Sequence, residues 1–414
     1  MQGNGARIRI PGYDSGMNRS GRHFLQIPGP TNVPDRVLQA IARATIDHRG
    51  PDFPALAREV LEGMRRVFQT AGAVVIFPSS GTGGWEAALV NTLSPGDRVL
   101  AFETGEFARL WADVARRMGL VVDVVDGDWR HGVDPADVER ALTRDAAHAI
   151  KAVLVVHNET STGVTTRLAQ VRQAMDRARH PALLLVDAVS SLGSIDLRHD
   201  EWQIDVTIAG SQKGLMLPPG LALQAVSDKA LQASRSARLP RAYWSWEAML
   251  TANDTGYFPY TPATNLLYGL REALQMLEEE GLPNVFARHA RLAEAARRAV
   301  AAWTLDLCAA RADEYSNAVT TVMVPAGHDA DAVRRLVLER FNMSLGTGLG
   351  RLKGRAFRLG HLGDFNELTL CGMLCGVEMG LSLAAIPFTR GGVDAALRYL
   401  EAVTAGSPAV VSQT

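Results

Sequence analysis

Lys213 sits in Gly210-Ser211-Gln212-Lys213-Gly214, directly after an apolar run, and a second apolar run, Ala182–Val186, ends in Asp187. A lysine and a carboxylate, each at the C-terminal end of a buried strand, suit a bound pyridoxal phosphate. The lysine would hold the cofactor as a Schiff base. The aspartate would keep its pyridine nitrogen protonated, so that the ring can act as an electron sink. A single lysine is ordinarily a solvated surface charge; the pairing with Asp187 and the segments around both reverse that reading. Asp187 alone could also serve a ribose hydroxyl or a metal, but no His or carboxylate stands beside it at a metal-ligand spacing, so no metal is expected.

Three further segments carry polar groups suited to such a site. Pro78-Ser-Ser-Gly-Thr-Gly-Gly84 lies between a strand pattern and a helical one. Glycine and hydroxyl residues at a helix N-terminus offer free N–H groups and a partial positive charge, a cradle for phosphate. The segment has neither the Walker A pattern nor the dinucleotide fingerprint, and it could equally be a plain capped turn. His157-Asn-Glu-Thr-Ser-Thr-Gly163 follows another apolar run; Thr160 could reach the ring oxygen, or the segment could satisfy only its own backbone. Arg358, in Ala356-Phe-Arg-Leu-Gly-His361, could clamp a carboxylate bidentately from a strand, or form a surface salt bridge.

These residues need strands and helices to position them. Short runs rich in Val, Leu and Ile recur at Val74–Phe77, Arg98–Phe102, Val121–Val125, Ala152–Val156, Leu183–Val186, Val206–Ala209 and Leu221–Val226. Amphipathic stretches such as Phe107–Met118, Pro135–Thr143 and Leu168–Arg179 lie between them. This alternation predicts an α/β fold with a mainly parallel, doubly wound sheet of seven strands, whose ligands bind at the carboxyl ends of the strands. Helical patterns at Leu266–Glu280 and Val285–Trp303 flank a break at Gly281-Leu-Pro283. Strand patterns at Val319–Val324 and Ala356–Leu359, with helices at Ala330–Arg340 and from Asn366, predict a smaller C-terminal α+β domain. The expected division is a flexible tail over residues 1–22, with Met17 a possible natural start, a large cofactor-binding domain over 23–281 and a small domain over 282–414.

Composition narrows the function classes. The formal net charge is −1, with 43 Lys and Arg against 44 Asp and Glu. No basic block argues for nucleic acid, and no apolar run is long enough to cross a membrane. Three cysteines without framework spacing fit a reducing cytoplasm.

Pro28-Gly-Pro30, Ser80-Gly-Thr82, Glu159-Thr-Ser-Thr-Gly163, Asp187-Ala-Val189, Ser211-Gln-Lys213 and Phe357-Arg-Leu-Gly360 occur in this order. Together they resemble the class V aminotransferases, specifically the serine–glyoxylate and alanine–glyoxylate enzymes, over about residues 23 to 383. The resemblance implies pyridoxal phosphate fold type I, the aspartate aminotransferase-like fold, with Lys213 as the Schiff-base lysine and Asp187 as partner of the ring nitrogen. It further implies phosphate contacts from Ser80, Gly81, Thr82 and Gln212, and ring contacts from Phe107, Val189 and Thr160. Arg358 would bind the substrate α-carboxylate beside the backbone of Gly29. Tyr260-Thr261-Pro262 resembles a segment that a neighbouring subunit lends to the phosphate, which implies a homodimer with a shared site. Two departures stand out: Phe107 occupies a position where relatives often carry Trp, and Tyr260 is shifted relative to its Thr.

The expected reaction is transfer of an amino group from an L-amino acid to glyoxylate, with L-serine favoured and L-aspartate or L-alanine as alternatives. Aspartate would need a second cation, for which Arg49, Arg351, Lys353 and His361 are candidates. A cysteine desulfurase would need a thiolate on a mobile loop, which Gly346–Gly350 lacks. A non-catalytic cofactor-binding regulator would more naturally have lost Lys213.

Overall fold

The structure, a computed structural model, describes residues 21–405. Met17 and all but the last two residues of the predicted N-terminal tail lie outside the described residues.

In chain order the strands of the first half are β1 (Phe24–Gln26), β2 (Ala73–Ser79), β3 (Arg98–Phe102), β4 (Val121–Val125), β5 (Ile150–Val156), β6 (Asn158–Glu159), β7 (Val164–Thr165), β8 (Leu183–Asp187), β9 (Val206–Gly210) and β10 (Gly220–Val226). All seven predicted apolar runs become strands of one sheet in the order β2-β10-β9-β8-β5-β3-β4. From β9 to β4 every pairing is parallel; β10 alone runs backwards, antiparallel to both β2 and β9. The runs read as unbroken apolar stretches because helices cover both faces: β8 and β9 are buried at every residue. With only β10 reversed, the carboxyl ends of β2, β3, β5, β8 and β9 open on the same edge. Two helices start there, α1 (Gly81–Thr92) after β2 and α2 (Glu106–Arg117) after β3.

The second half adds β11 (Asp306–Leu307), β12 (Val319–Met323), β13 (Met343–Thr347) and β14 (Ala356–Gly360). They form a second sheet in the order β1-β13-β14-β12-β11. Its apolar face packs against helices Leu282–Ala302, Ala330–Phe341 and Glu367–Leu383 in a core separate from that of the large sheet. The helix expected to end near Glu280 does so, and Gly281, at φ +79°, turns the chain into the next one; a left-handed backbone there suits glycine.

Two features depart from the sequence reading. Strand β1 pairs in parallel with β13, Phe24 opposite Met343, so residues placed with the large domain begin in the second sheet. Part of the Gly346–Gly350 loop is strand β13. Neither shows locally: β1 is three residues long, and its partner lies more than three hundred residues away. The pairing has a consequence for the site, because the chain leaving β1 through Pro28-Gly29-Pro30 crosses from the second sheet to the carboxyl edge of the first.

Candidate active site

Strand β8 ends in Asp187 and β9 is followed by Lys213, both lining a cleft at the carboxyl edge of the large sheet. Asp187 is buried. Its Oδ1 accepts the Val189 N–H at 2.7 Å, and its Oδ2 accepts the Trp85 indole N–H at 3.0 Å. Burial pushes the carboxyl up to about 7 against these two bonds, and the nearby Glu159 charge pushes the same way as burial. Lys213 is 9% exposed and donates from Nζ to the Pro28 carbonyl at 2.5 Å. Desolvation brings its ammonium down to about 8; the Arg358 charge adds to the depression and Asp187 opposes it. An amine that titrates near neutrality can both take and return a proton.

The cleft holds a cavity of about 120 Å³. Ser80, Gly81 and Thr82 line one end, Asp187 and Trp85 the floor, and Phe107 and Val189 are also in its wall. Ser80 precedes α1 without a side-chain capping bond, so the first N–H groups of the helix are open to an anion. A side chain at Gly81 would sit 2.6 Å from Val189, so only glycine lets the helix start this close to the wall. Gln212 also lines the cleft, and its Oε1 is buried without a hydrogen-bond partner. A helix N-terminus for a phosphate, a buried carboxyl for a pyridinium and a depressed lysine for an aldehyde fit pyridoxal phosphate.

Arg358 projects from β14 and is 8% exposed. Its Nε donates to Thr347 O at 2.7 Å and its Nη1 to Thr160 O at 2.9 Å. Among the described residues no carboxylate lies within ion-pair distance of it, and burial lowers its guanidinium to about 10. Arg358 does not line the cleft directly; the Thr160 carbonyl joins it to the lining. Thr160 itself donates to Ser190 Oγ at 3.2 Å. Gly29 has φ +100°, and a Cβ there would come within 2.3 Å of the Lys213 side chain. The β1 crossover thus packs directly on the lysine.

Tyr260 and Thr261 are not in this chain's own cleft. Tyr260 stacks on Tyr243 with ring centroids 4.4 Å apart, and Thr261 Oγ1 lies 3.4 Å from His48 Nε2. Of the candidate second cations, Arg351 pairs with Glu103, His361 is buried against Thr320, and Arg49 and Lys353 are exposed. None lines the cleft. The three thiols lie elsewhere, and burial raises Cys308 to about 11. No cluster of His, Cys, Asp and Glu suited to a metal occurs among the described residues. No helix is long and apolar enough to cross a membrane among them.

Sequence reasoning missed Trp85, Asn158 and Ser190, all in the lining. Asn158 Nδ2 donates to Ser190 Oγ at 2.9 Å. Helical spacing offered one signal: Trp85 lies four residues, about one turn, after Gly81.

The family model for class V aminotransferases matches residues 23–350. The serine–glyoxylate aminotransferase of Methylorubrum extorquens is 52% identical over 389 residues, covering 92% of this chain and 97% of that protein. The L-aspartate–glyoxylate aminotransferase of Paracoccus denitrificans is 46% identical, covering 92% and 97%. The crystal structure of ureidoglycine–glyoxylate aminotransferase from Bacillus subtilis superposes with a TM-score of 0.85 at 29% identity, over 92% of this chain and 99% of that one. The chain therefore belongs to the class V aminotransferases, enzymes of fold type I that depend on pyridoxal phosphate.

Proposed function

We propose that this enzyme transfers the amino group of L-serine to glyoxylate, giving hydroxypyruvate and glycine. The observation that carries the choice of donor is the charge content of the site. One guanidinium, Arg358, joined to the cleft through the Thr160 carbonyl, is available for an α-carboxylate, and the lining itself holds no cation except Lys213. A donor with a small, uncharged side chain suits that arrangement, and the Methylorubrum relative supports it. L-aspartate is the second reading, favoured by the Paracoccus relative; its extra carboxylate would need a cation from outside this cleft.

Pyridoxal phosphate, when bound, delocalises the negative charge that proton loss leaves on the donor's α-carbon. In this reading Lys213 anchors the cofactor and then carries the α-proton. Its depressed ammonium keeps part of the population neutral and able to act as base near pH 8. Asp187 balances the positive pyridine nitrogen in a poorly solvated site. Ser80, Gly81, Thr82 and Gln212 hold the phosphate at the start of α1. Phe107 and Val189, in the cleft wall, would pack against the ring, and Thr160 would serve its hydroxyl. Arg358 binds the α-carboxylate of donor and of glyoxylate alike, next to the Gly29 backbone, which orients both around one lysine. Sequential use of one site by donor and acceptor implies ping-pong kinetics. We also propose a homodimer in which Tyr260 and Thr261 reach the partner's phosphate; their position outside their own cleft supports this. Three unpaired cysteines support a cytoplasmic setting.

Single-turnover spectra test the reading. L-serine, L-alanine and L-aspartate are mixed separately with the holoenzyme, without acceptor. L-serine should bleach the cofactor's visible band fastest, and glyoxylate should restore it. Faster bleaching by L-aspartate would replace serine by the second reading, and no bleaching by any of the three would remove the glyoxylate aminotransferase assignment.

A further inference from the structure

We propose that Trp85 is a positioning residue for transamination, holding the Asp187 carboxylate ionised and aimed at the cofactor's pyridine nitrogen. The inference rests on the reading of Asp187 given above.

Asp187 is buried and forms no ion pair within 4 Å among the described residues. Two neutral donors hold it instead, Val189 N–H on one oxygen and the Trp85 indole N–H on the other. Burial alone favours a neutral carboxyl, so in this site each donor to the charged form counts for more than it would in water. Val189 is part of the same turn and follows Asp187 wherever it moves. Trp85 is the donor that comes from another element, and it is itself held: its ring stacks on Trp111 with centroids 5.9 Å apart and an interplanar angle of 17°. Both rings are buried.

The origin of these two tryptophans gives the arrangement its meaning. Trp85 lies in the first turns of α1, the helix whose N-terminus faces the phosphate end of the cleft. Trp111 lies one turn after Phe107 on α2, and Phe107 is in the cleft wall. One packed unit thus carries the phosphate end, the ring wall and the group that fixes the ring-nitrogen partner. A carboxylate facing a pyridinium must accept its N–H without removing the proton. A donor on the carboxylate lowers its basicity and keeps the proton on nitrogen. Without the indole N–H, the carboxylate is more basic and is held by the Val189 N–H alone. The proton then shifts from ring nitrogen to Asp187 oxygen, the ring withdraws fewer electrons, and α-proton removal slows.

The test compares wild type with Trp85→Phe and with a variant carrying 3-benzothienylalanine at position 85, which keeps the indole shape and replaces its N–H by sulfur. Each apoprotein is titrated with pyridoxal phosphate and with its 1-deaza analogue, which has carbon in place of the ring nitrogen, and single-turnover rates with L-serine are then measured. Wild type should bind pyridoxal phosphate more tightly than the analogue. Both variants should lose most of that preference and about ten-fold in rate with pyridoxal phosphate, yet match wild type with the analogue. Equal losses with both cofactors would assign Trp85 to packing and overturn the proposal. Asp187→Asn separates the two readings. If that change leaves wild-type preference intact, the reading of Asp187 is wrong; if it abolishes the preference while both Trp85 variants keep it, only the role of Trp85 is wrong.

Discussion

Three ionisable side chains, Lys213, Asp187 and Arg358, are each displaced from their ordinary titration range chiefly by burial, and each in the direction of its neutral form. A folded chain keeps such groups in one place when a ligand completes the set of partners. The lysine is the group with no substitute. Lys213→Ala should lose at least about 10²–10⁴-fold in turnover, while the α1 N-terminus and Gln212 retain measurable cofactor affinity by equilibrium dialysis. Turnover close to wild type would remove Lys213 from the mechanism. Arg358 offers a planar fork already held by two carbonyls. Arg358→Lys should raise KM for serine and for glyoxylate together by about ten-fold or more while changing kcat less, because a point charge cannot reproduce bidentate binding. A change confined to one substrate would show that the two do not share the arginine.

At the scale of elements, the site depends on strand ends and on one crossover. The helices and strands of the first half were legible because long, strongly periodic segments announce themselves: α2 was expected at Phe107–Met118 and spans Glu106–Arg117. Strands β1 and β13 were not legible, since three to five residues of mixed character acquire their pairing only from a distant partner. Their pairing decides where Gly29 lies. Gly29→Ala would force a Cβ into the space of the Lys213 side chain, 2.3 Å from its Cδ, at a φ of +100°. The backbone strain should cost about 1–2 kcal/mol of stability, read from urea unfolding. The activity loss should exceed what that destabilisation explains, because the lysine itself is displaced. Wild-type activity in a stably folded variant would show that the crossover merely passes the site.

For the whole molecule, acid should be the weak side. His157, His199 and His289 are held down to about 4 and His361 to about 3, each mainly by burial. Their folded values lie below the ordinary value near 6.5, so between about pH 4 and 6.5 the unfolded chain binds protons that the folded one refuses. Stability therefore falls as pH drops through 6.5. Asp187, raised to about 7, and Glu159, also raised by burial, work the other way, two groups against these four and His180, which burial also lowers. The apoprotein should be less stable at pH 5 than at pH 7 by on the order of 3 kcal/mol, read from urea midpoints. A flat or inverted profile would mean that the histidines find proton-accepting partners when charged.

The amino-acid sequence by itself determined the α/β class, the seven strands of the large sheet and the order of the polar segments, because apolar periodicity and strand-end residues are local properties. It also identified Lys213 and Asp187 as candidates through residue types at those strand ends and Arg358 through its place in a short apolar strand, while Gln212 followed from the family resemblance. Tertiary structure alone decided which of them meet. It seated Arg358 on the carbonyls of Thr160 and Thr347, 198 and 11 residues away along the chain, and laid Gly29 on Lys213. It also supplied Trp85 as a donor to Asp187 across 102 positions. The contacts of Arg358 and Gly29 arise from the packing of one sheet's carboxyl edge against a second sheet, that of Trp85 from a helix packing on the large sheet, and no local stretch of residues encodes either packing.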